Sequence, residues 1–322
     1  MTYQDFGWLK EEIISYMDRL NKRSYEHITD YYGFLKNEMA LENYILFYKH
    51  VFEVTNAKDK TVFECGCGAG VGMLLMKLFG AKCVIGLDLV ELKIDVAIDL
   101  LMNADMNEVY LCRGDATNIP LKNECIEVVI AIEAISHFRE KEIFLQEARR
   151  VLTRRGLLYI NDGNNALNPM MRRTNKQIWN DSEKVWVGIR KRMISDWFPS
   201  LDSRTIDFLA TETAGMYGEQ IKVAVDEWNK TGVIRNKPSF KYRSPTDGYF
   251  AEFLFNPYKL CKEITSYGFN TTVSPFKHPS ISKRKLGLNK RLKRLTKGII
   301  FAFPPPISYI TASAFEIIAI KR

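Results

Sequence analysis

Three acidic residues and a run of glycines carry the chemistry that can be read first. In Val62-Phe63-Glu64-Cys65-Gly66-Cys67-Gly68-Ala69-Gly70-Val71-Gly72 an apolar strand runs through a glycine turn into a helix. Glycines in such a turn let the backbone pass close under a bound ligand and leave the helix's first amides free. The dinucleotide pattern G-x-G-x-x-G fails in both registers, because its sixth position is Val71 counted from Gly66 and Met73 counted from Gly68. Glu64 at the start of the turn would also repel a pyrophosphate, so a cationic, phosphate-free cofactor suits the loop better. Asp88 follows Glu64 by 24 residues, at the end of the next strand, where a carboxylate reaches the hydroxyls of an adenosine ribose. Asp115 in Gly114-Asp115-Ala116 ends the third strand, placed to accept from an adenine amino group. Downstream, Glu133-Ala134-Ile135-Ser136-His137 follows a fourth apolar strand. An imidazole there, with an ordinary pKa of ~6.5, could take a proton from a nucleophile, and Glu133 is a second candidate base.

The elements that must position these groups follow from apolar periodicity. Helical spacing over Leu9–Leu20 and Leu41–Phe52 predicts N-terminal helices across residues 1–58, with Tyr25, Tyr31, Tyr32 and Phe34 between them. Strands at Thr61–Cys65, Cys83–Leu87, Val109–Arg113, Ile126–Ile132 and Gly156–Asn161 alternate with helices at Val71–Phe79, Leu92–Met102 and Glu140–Leu152. Short apolar strands separated by helices make a mostly parallel sheet covered on both faces, a doubly wound α/β fold. The rhythm stops over 164–250, which holds Trp179, Trp186, Trp197 and Trp228 and reads as a helical insertion laid over the sheet's active edge. It resumes with a helix opened by Asn256-Pro257-Tyr258 and strands at Asn270–Val273 and Ala314–Ile320.

On these motifs the chain resembles the class I S-adenosylmethionine-dependent methyltransferases. Glu64-x-Gly66-x-Gly68-x-Gly70 looks like their first motif, Asp88 their ribose acid and Gly114-Asp115-Ala116 their adenine-side turn. Glu147 through Leu158 is similar to the helix-turn-strand that usually reads RVLKPGG, with arginine and Leu157 where proline and the second glycine stand. The resemblance implies a seven-stranded Rossmann-like sheet formed by 59–163 and 251–322, with a helical insertion after the fifth strand. It implies S-adenosyl-L-methionine as cofactor, leaving as S-adenosyl-L-homocysteine. Glu64, Gly66, Cys67, Gly68 and Gly70 would hold its methionine end, Asp88 its ribose, and Asp115 and Ala116 its adenine; Leu89 would be a further cofactor contact, and Glu133 would lie near the sulfonium. Residues 133–137 resemble the corresponding loop of sterol, tocopherol and ubiquinone-type methyltransferases, which makes His137 the expected general base. In that family the N-terminal helices and the insertion enclose the acceptor, so Tyr31, Tyr32, Tyr217 and Arg172 are candidate acceptor-pocket residues.

Charge and composition narrow the partners. The 322 residues sum to +8, but 277–297 alone carries nine Lys/Arg and no acid. The rest is near neutral, unlike a protein that wraps nucleic acid across one face. Adenine-N6 and cytosine-C5 methylation motifs are also missing from the strand ends. Within 277–310, Leu288, Leu292 and Leu295 share one helical face among cations, and Ile299-Ile300-Phe301-Ala302-Phe303 follows. Residues 283–303 therefore suit an anionic membrane surface; a solvated helix covering the sheet edge or a polyanion site fits the same pattern. No leader-like segment opens the sequence, and the six cysteines read as reduced core thiols, with no metal site expected. The expectation is a cytoplasmic enzyme, peripheral on the inner membrane face if the basic segment binds there. It would methylate oxygen or carbon of a small apolar or lipid-linked acceptor. A protein or nitrogen acceptor, a non-catalytic binding subunit and, less well matched, a nicotinamide oxidoreductase are the alternatives.

Overall fold

The computed structural model describes residues 7–31, 37–238, 240–246, 253–277, 304 and 307–322. It divides into two units, Met1–Asn168 with Phe255–Arg322, and Pro169–Leu254. The first unit contains one seven-stranded sheet. Its strands are β1 (Thr61–Cys65), β2 (Cys83–Asp88), β3 (Val109–Arg113), β4 (Ile126–Ile132), β5 (Leu152–Asp162), β6 (Phe269–Phe276) and β7 (Ala314–Lys321). They lie in the order β3-β2-β1-β4-β5-β7-β6. Pairs among β1 to β5 are parallel, and β7 enters antiparallel between β5 and β6. This is the mostly parallel Rossmann-like sheet that the strand–helix rhythm predicts.

The helices of this unit are α1 (Gly7–Asp18), α2 (Lys22–Tyr31), α3 (Glu38–Val54), α4 (Val71–Phe79), α5 (Glu91–Asn103), α6 (Lys141–Val151) and α10 (Pro257–Ser266). Local chemistry marks several of their starts. Asn37 caps α3 by accepting from the amides of Met39 and Ala40, and Asn256 caps α10, where Pro257 occupies the first turn at no cost in hydrogen bonds. β1 and β4 are buried along almost their whole length, as strands covered on both faces must be. The strand order reverses between β1 and β4, so the carboxyl ends of these two strands open a crevice where α/β sheets take ligands.

Two local readings differ from the sequence expectation. β5 begins at Leu152 rather than Gly156, because the expected turn is absorbed as a bulge. Ile126 pairs with Leu152 and Val128 with Leu157, so five steps on β5 match two on β4, with Arg155 at φ 61°. All six cysteines are free thiols, but only Cys65 and Cys67 are core; Cys83, Cys112 and Cys261 are half-buried, and Cys125 is exposed in the turn ahead of β4.

The second unit is built from α7 (Pro169–Trp197), α8 (Ser203–Glu212) and α9 (Glu219–Thr231), closed around Ile194, Leu209, Met216, Ile221, Val225 and Ile234. Arg190 lies wholly inside it, donating from Nε to the Ala210 carbonyl at 2.6 Å and pairing with Glu183. A buried guanidinium is tolerated only when so engaged.

A polar cluster ties α3 to the far side of the sheet. Glu316 on β7 accepts from the Tyr159 hydroxyl at 2.8 Å and the Ser274 hydroxyl at 3.2 Å, and His50 Nε2 lies 2.6 Å from it. Burial pushes the Glu316 carboxyl up, but the bonds from His50 and Tyr159 outweigh it and hold the group below its ordinary value. A lowered native pKa gives stability that is present above the unfolded value and lost as pH falls through the native one. Glu316→Gln should therefore cost about 2 kcal/mol at neutral pH. The gap between variant and wild type should narrow as pH falls below the ordinary carboxylate range, as read from urea unfolding at neutral and acid pH.

Candidate active site

The glycine loop is strapped to the end of β2. The amides of Gly66 and Cys67 both donate to the Leu87 carbonyl, at 2.7 and 3.1 Å. The Gly68 amide donates to Asp88 Oδ2 at 2.9 Å, while Oδ1 of the same carboxylate accepts from Val90 N, also at 2.9 Å. Gly66, Gly68 and Gly70 all take positive φ. A Cβ on Gly66 would come within 2.8 Å of Ala134 Cβ, and one on Gly70 within 2.9 Å of Ala97 Cβ. Backbone freedom and close approach are thus both required at these two positions. The same contact brings the loop after β4 against the loop after β1.

Glu64 sits at the root of this loop with 2% of its surface exposed. Its Oε1 accepts from the Tyr48 hydroxyl of α3 at 2.7 Å. Oε2 is buried and has no hydrogen-bond partner among the described residues. Burial pushes the Glu64 carboxyl up to about 8; the Tyr48 bond works against the shift and the Asp88 carboxylate adds to it. A buried acid with one free oxygen is a ready receptor for a cation, which would both pair with it and favour its ionised form. Burial likewise raises the thiols of Cys65 and Cys67, which pack as apolar groups beneath the loop.

On the β2–β3 side, Asp88 is buried while Leu89 beside it is 63% exposed and Val90 is exposed too. Asp115 is exposed and accepts through Oδ1 from the amide and hydroxyl of Thr117, both at 2.8 Å, leaving Oδ2 outside that turn. Ala116 is buried behind it.

On the β4–β5 side two carboxylates cross-link the loops reciprocally. Glu133, at φ 47°, accepts from Gly163 N at 3.1 Å, and Asp162 accepts from Ser136 N at 3.1 Å and Asn164 N at 2.9 Å. The Glu133 amide donates to the Asn161 carbonyl at 2.8 Å. Burial and the neighbouring Glu133 carboxylate raise the Asp162 pKa well above the carboxylate range. His137, half-buried, ends the 3-10 turn Ile135–His137 that Asp162 anchors.

The expected residues Glu64, Gly66, Cys67, Gly68, Gly70, Asp88, Leu89, Asp115, Ala116, Glu133 and His137 all fall at the carboxyl ends of β1 to β4 or in the loops that follow them. Tyr217 and Arg172 belong to the second unit, where the Tyr217 ring carries the Arg243 guanidinium at 3.8 Å and Arg172 is exposed on α7. Tyr31 closes α2, with its side chain outside the described residues, and Tyr32 and the basic segment 283–303 lie outside them as well. Tyr48, Asn161 and Asp162 were not singled out from the sequence. Tyr48 is one member of an ordinary helical repeat, and Asp162 ends its strand just as the acids after β1 and β2 do, which was the available signal.

Residues 56–205 match the family described as a methyltransferase domain. Norajmaline N-methyltransferase of Rauvolfia serpentina is 30% identical over 106 residues, 32% of this chain and 36% of that protein. Demethylmenaquinone methyltransferase of Staphylococcus haemolyticus is 27% identical over 137 residues, 42% and 56% of the two chains. The chain thus spans less than two thirds of the length of either relative. A solved S-adenosylmethionine-dependent methyltransferase of Thermotoga maritima is 16% identical, with a TM-score of 0.48 and coverage of 93% of this chain and 98% of that one. The matched part resembles a methyltransferase domain, and the sheet has the class I, Rossmann-like fold of enzymes whose cofactor is S-adenosylmethionine. The site fits that molecule. The unpartnered Glu64 oxygen suits a cationic amino-acid end, and the loop is kept open by glycines that admit no Cβ.

A native pKa raised above the unfolded value gives stability that is complete below about 4.5 and lost as pH rises through about 8. Glu64→Gln removes that dependence. Between pH 5 and 9 the variant should gain on the wild type by a few kcal/mol, measured by denaturant unfolding without ligand. Parallel curves would mean that Glu64 is not held neutral.

Proposed function

We propose that this protein transfers the methyl group of S-adenosylmethionine to an oxygen or carbon of a small acceptor. The observation that carries the reading is the buried, half-satisfied Glu64 carboxyl at the root of a glycine loop whose next strand ends in Asp88. When bound, the cofactor supplies a methyl group on a sulfonium, already activated toward attack. The protein's own task is then orientation, exclusion of water and management of one proton.

In this reading Glu64 and the Gly66–Gly70 backbone hold the amino-acid end, and Asp88 takes the ribose hydroxyls while its loop bonds keep it in place. The exposed Leu89 gives an apolar wall for the purine, and Asp115 with Ala116 bounds the adenine edge. His137 is the proton acceptor for a hydroxyl or an acidic carbon, held in position by the turn that Asp162 anchors. Glu133, on the sulfonium side, is the second candidate, but its bond to Gly163 engages one of its oxygens.

The acceptor we infer is small and apolar or lipid-linked, with Tyr31, Tyr32, Tyr217 and Arg172 as candidate contacts. The relative named for demethylmenaquinone supports an apolar acceptor, and the one named as an N-methyltransferase favours nitrogen as the second reading. The nine positive charges of 277–297 support a place on an anionic membrane surface, with the remainder of the protein on the cytoplasmic side.

Calorimetric titration tests the cofactor directly. S-adenosylmethionine and S-adenosylhomocysteine should bind in the micromolar range and NAD should not, and Asp88→Ala should weaken both by at least about tenfold. Radiolabelled methyl should then appear in the organic rather than the aqueous phase of a cell extract. Absence of binding by folded, ligand-free protein would refute the methyltransferase reading, and label confined to the aqueous phase would refute the apolar acceptor.

A further inference from the structure

Tyr48 reaches the cofactor loop from outside the matched strand–loop motif. It lies on α3, is almost wholly buried, and donates its hydroxyl to Glu64 Oε1 at 2.7 Å. Its ring is fixed on two sides, by Tyr44 with centroids 4.9 Å apart and by Phe47 packed edge-on at 5.5 Å. On a third side it occupies the space above Gly72, where a Cβ would collide with the hydroxyl and the ring. A glycine at the second residue of α4 therefore does more than open the turn, because it admits a side chain from another helix.

That bond divides the work of the two Glu64 oxygens. Oε1 is engaged, which sets the plane of the carboxyl, and Oε2 is buried with no hydrogen-bond partner among the described residues. Resting on the methyltransferase reading above, we propose that Tyr48 is a positioning residue for the amino-acid end of the cofactor. By holding Oε1, its hydroxyl presents Oε2 to the α-ammonium group. α3 is then part of the cofactor site, and ligands are distinguished by whether they carry that ammonium. A carboxyl free to rotate would lose both the direction and the charge-assisted strength of the contact.

The test compares two ligands that share adenosine and a thioether sulfur. S-adenosylhomocysteine carries the amino-acid end, and 5′-methylthioadenosine lacks it. In calorimetry on the full chain, Tyr48→Phe should weaken S-adenosylhomocysteine about tenfold, the scale of a lost hydrogen bond to a charged group, and leave 5′-methylthioadenosine within about twofold. In a Glu64→Gln background the same substitution should have no further effect, since Tyr48 acts through that carboxyl. Equal weakening of both ligands would overturn the proposal in favour of a packing role for Tyr48. Unchanged affinity for S-adenosylhomocysteine, or full additivity with Glu64→Gln, would overturn it as well. Should the wild type bind neither ligand, the methyltransferase reading itself falls; binding of both by the wild type keeps that reading apart from the fate of Tyr48.

Discussion

A carboxyl buried at the end of the central strand is unfavourable unless its surroundings are arranged around it. Much of the first unit is so arranged. Tyr48 comes in from α3 to satisfy one oxygen, and Gly72 makes room for the ring. The turn that follows is held down by paired amides on the Leu87 carbonyl and by the Asp88 carboxylate. Remove the acid and the hydroxyl of Tyr48 loses this carboxylate as its acceptor. Keep it, and one buried oxygen has no hydrogen-bond partner among the described residues, which is the condition of a binding site rather than of a packed core.

The opposite wall of the crevice solves a different problem, that of keeping two loops after parallel strands in register. One backbone bond, from the Glu133 amide to the Asn161 carbonyl, runs past the end of β4, and side chains take over from there. The reciprocal bonds of Glu133 to Gly163 and of Asp162 to Ser136 make one unit of the loops after β4 and β5. Burial, and then the neighbouring Glu133 carboxylate, raise the Asp162 carboxyl above its ordinary range. The close pass of Gly66 against Ala134 joins this unit to the glycine loop. Displacement of one wall is then felt by the other, because at this contact the Ala134 methyl packs directly on the Gly66 backbone.

Much of this was legible in the residues themselves. The strands β1 to β4 alternate with helices in clean apolar runs, the glycine turn has a distinctive spacing, and acids end three successive strands. What was not legible depends on contacts between elements distant in sequence. Tyr48 has the periodicity of any buried helical aromatic, and nothing local says that its hydroxyl meets a carboxyl 16 residues later. Thr153-Arg154-Arg155-Gly156 reads as a turn, yet pairing with β4 draws it into the sheet as a bulge. Arg190 follows the pattern of an exposed helical arginine, but the carbonyl of Ala210 and the Glu183 carboxylate hold it inside the second unit. In each case tertiary structure overrides a reading that local propensity supports.

The antiparallel entry of β7 has a consequence for the order of assembly. β6 touches the sheet only through β7, while β7 pairs with β5 across more than 150 residues of intervening chain. As a nascent polypeptide lengthens, α10 and β6 therefore have no edge to join until Ala314–Lys321 has left the ribosome. Until then the Leu157–Asp162 segment of β5 presents an unpaired apolar margin, of the sort that recruits other strands. The crevice at β1 and β4 is framed by strands made long before, so it can take shape on a sheet whose far border is still open. Completion of that border falls to eight residues, and with them two strands are secured at once.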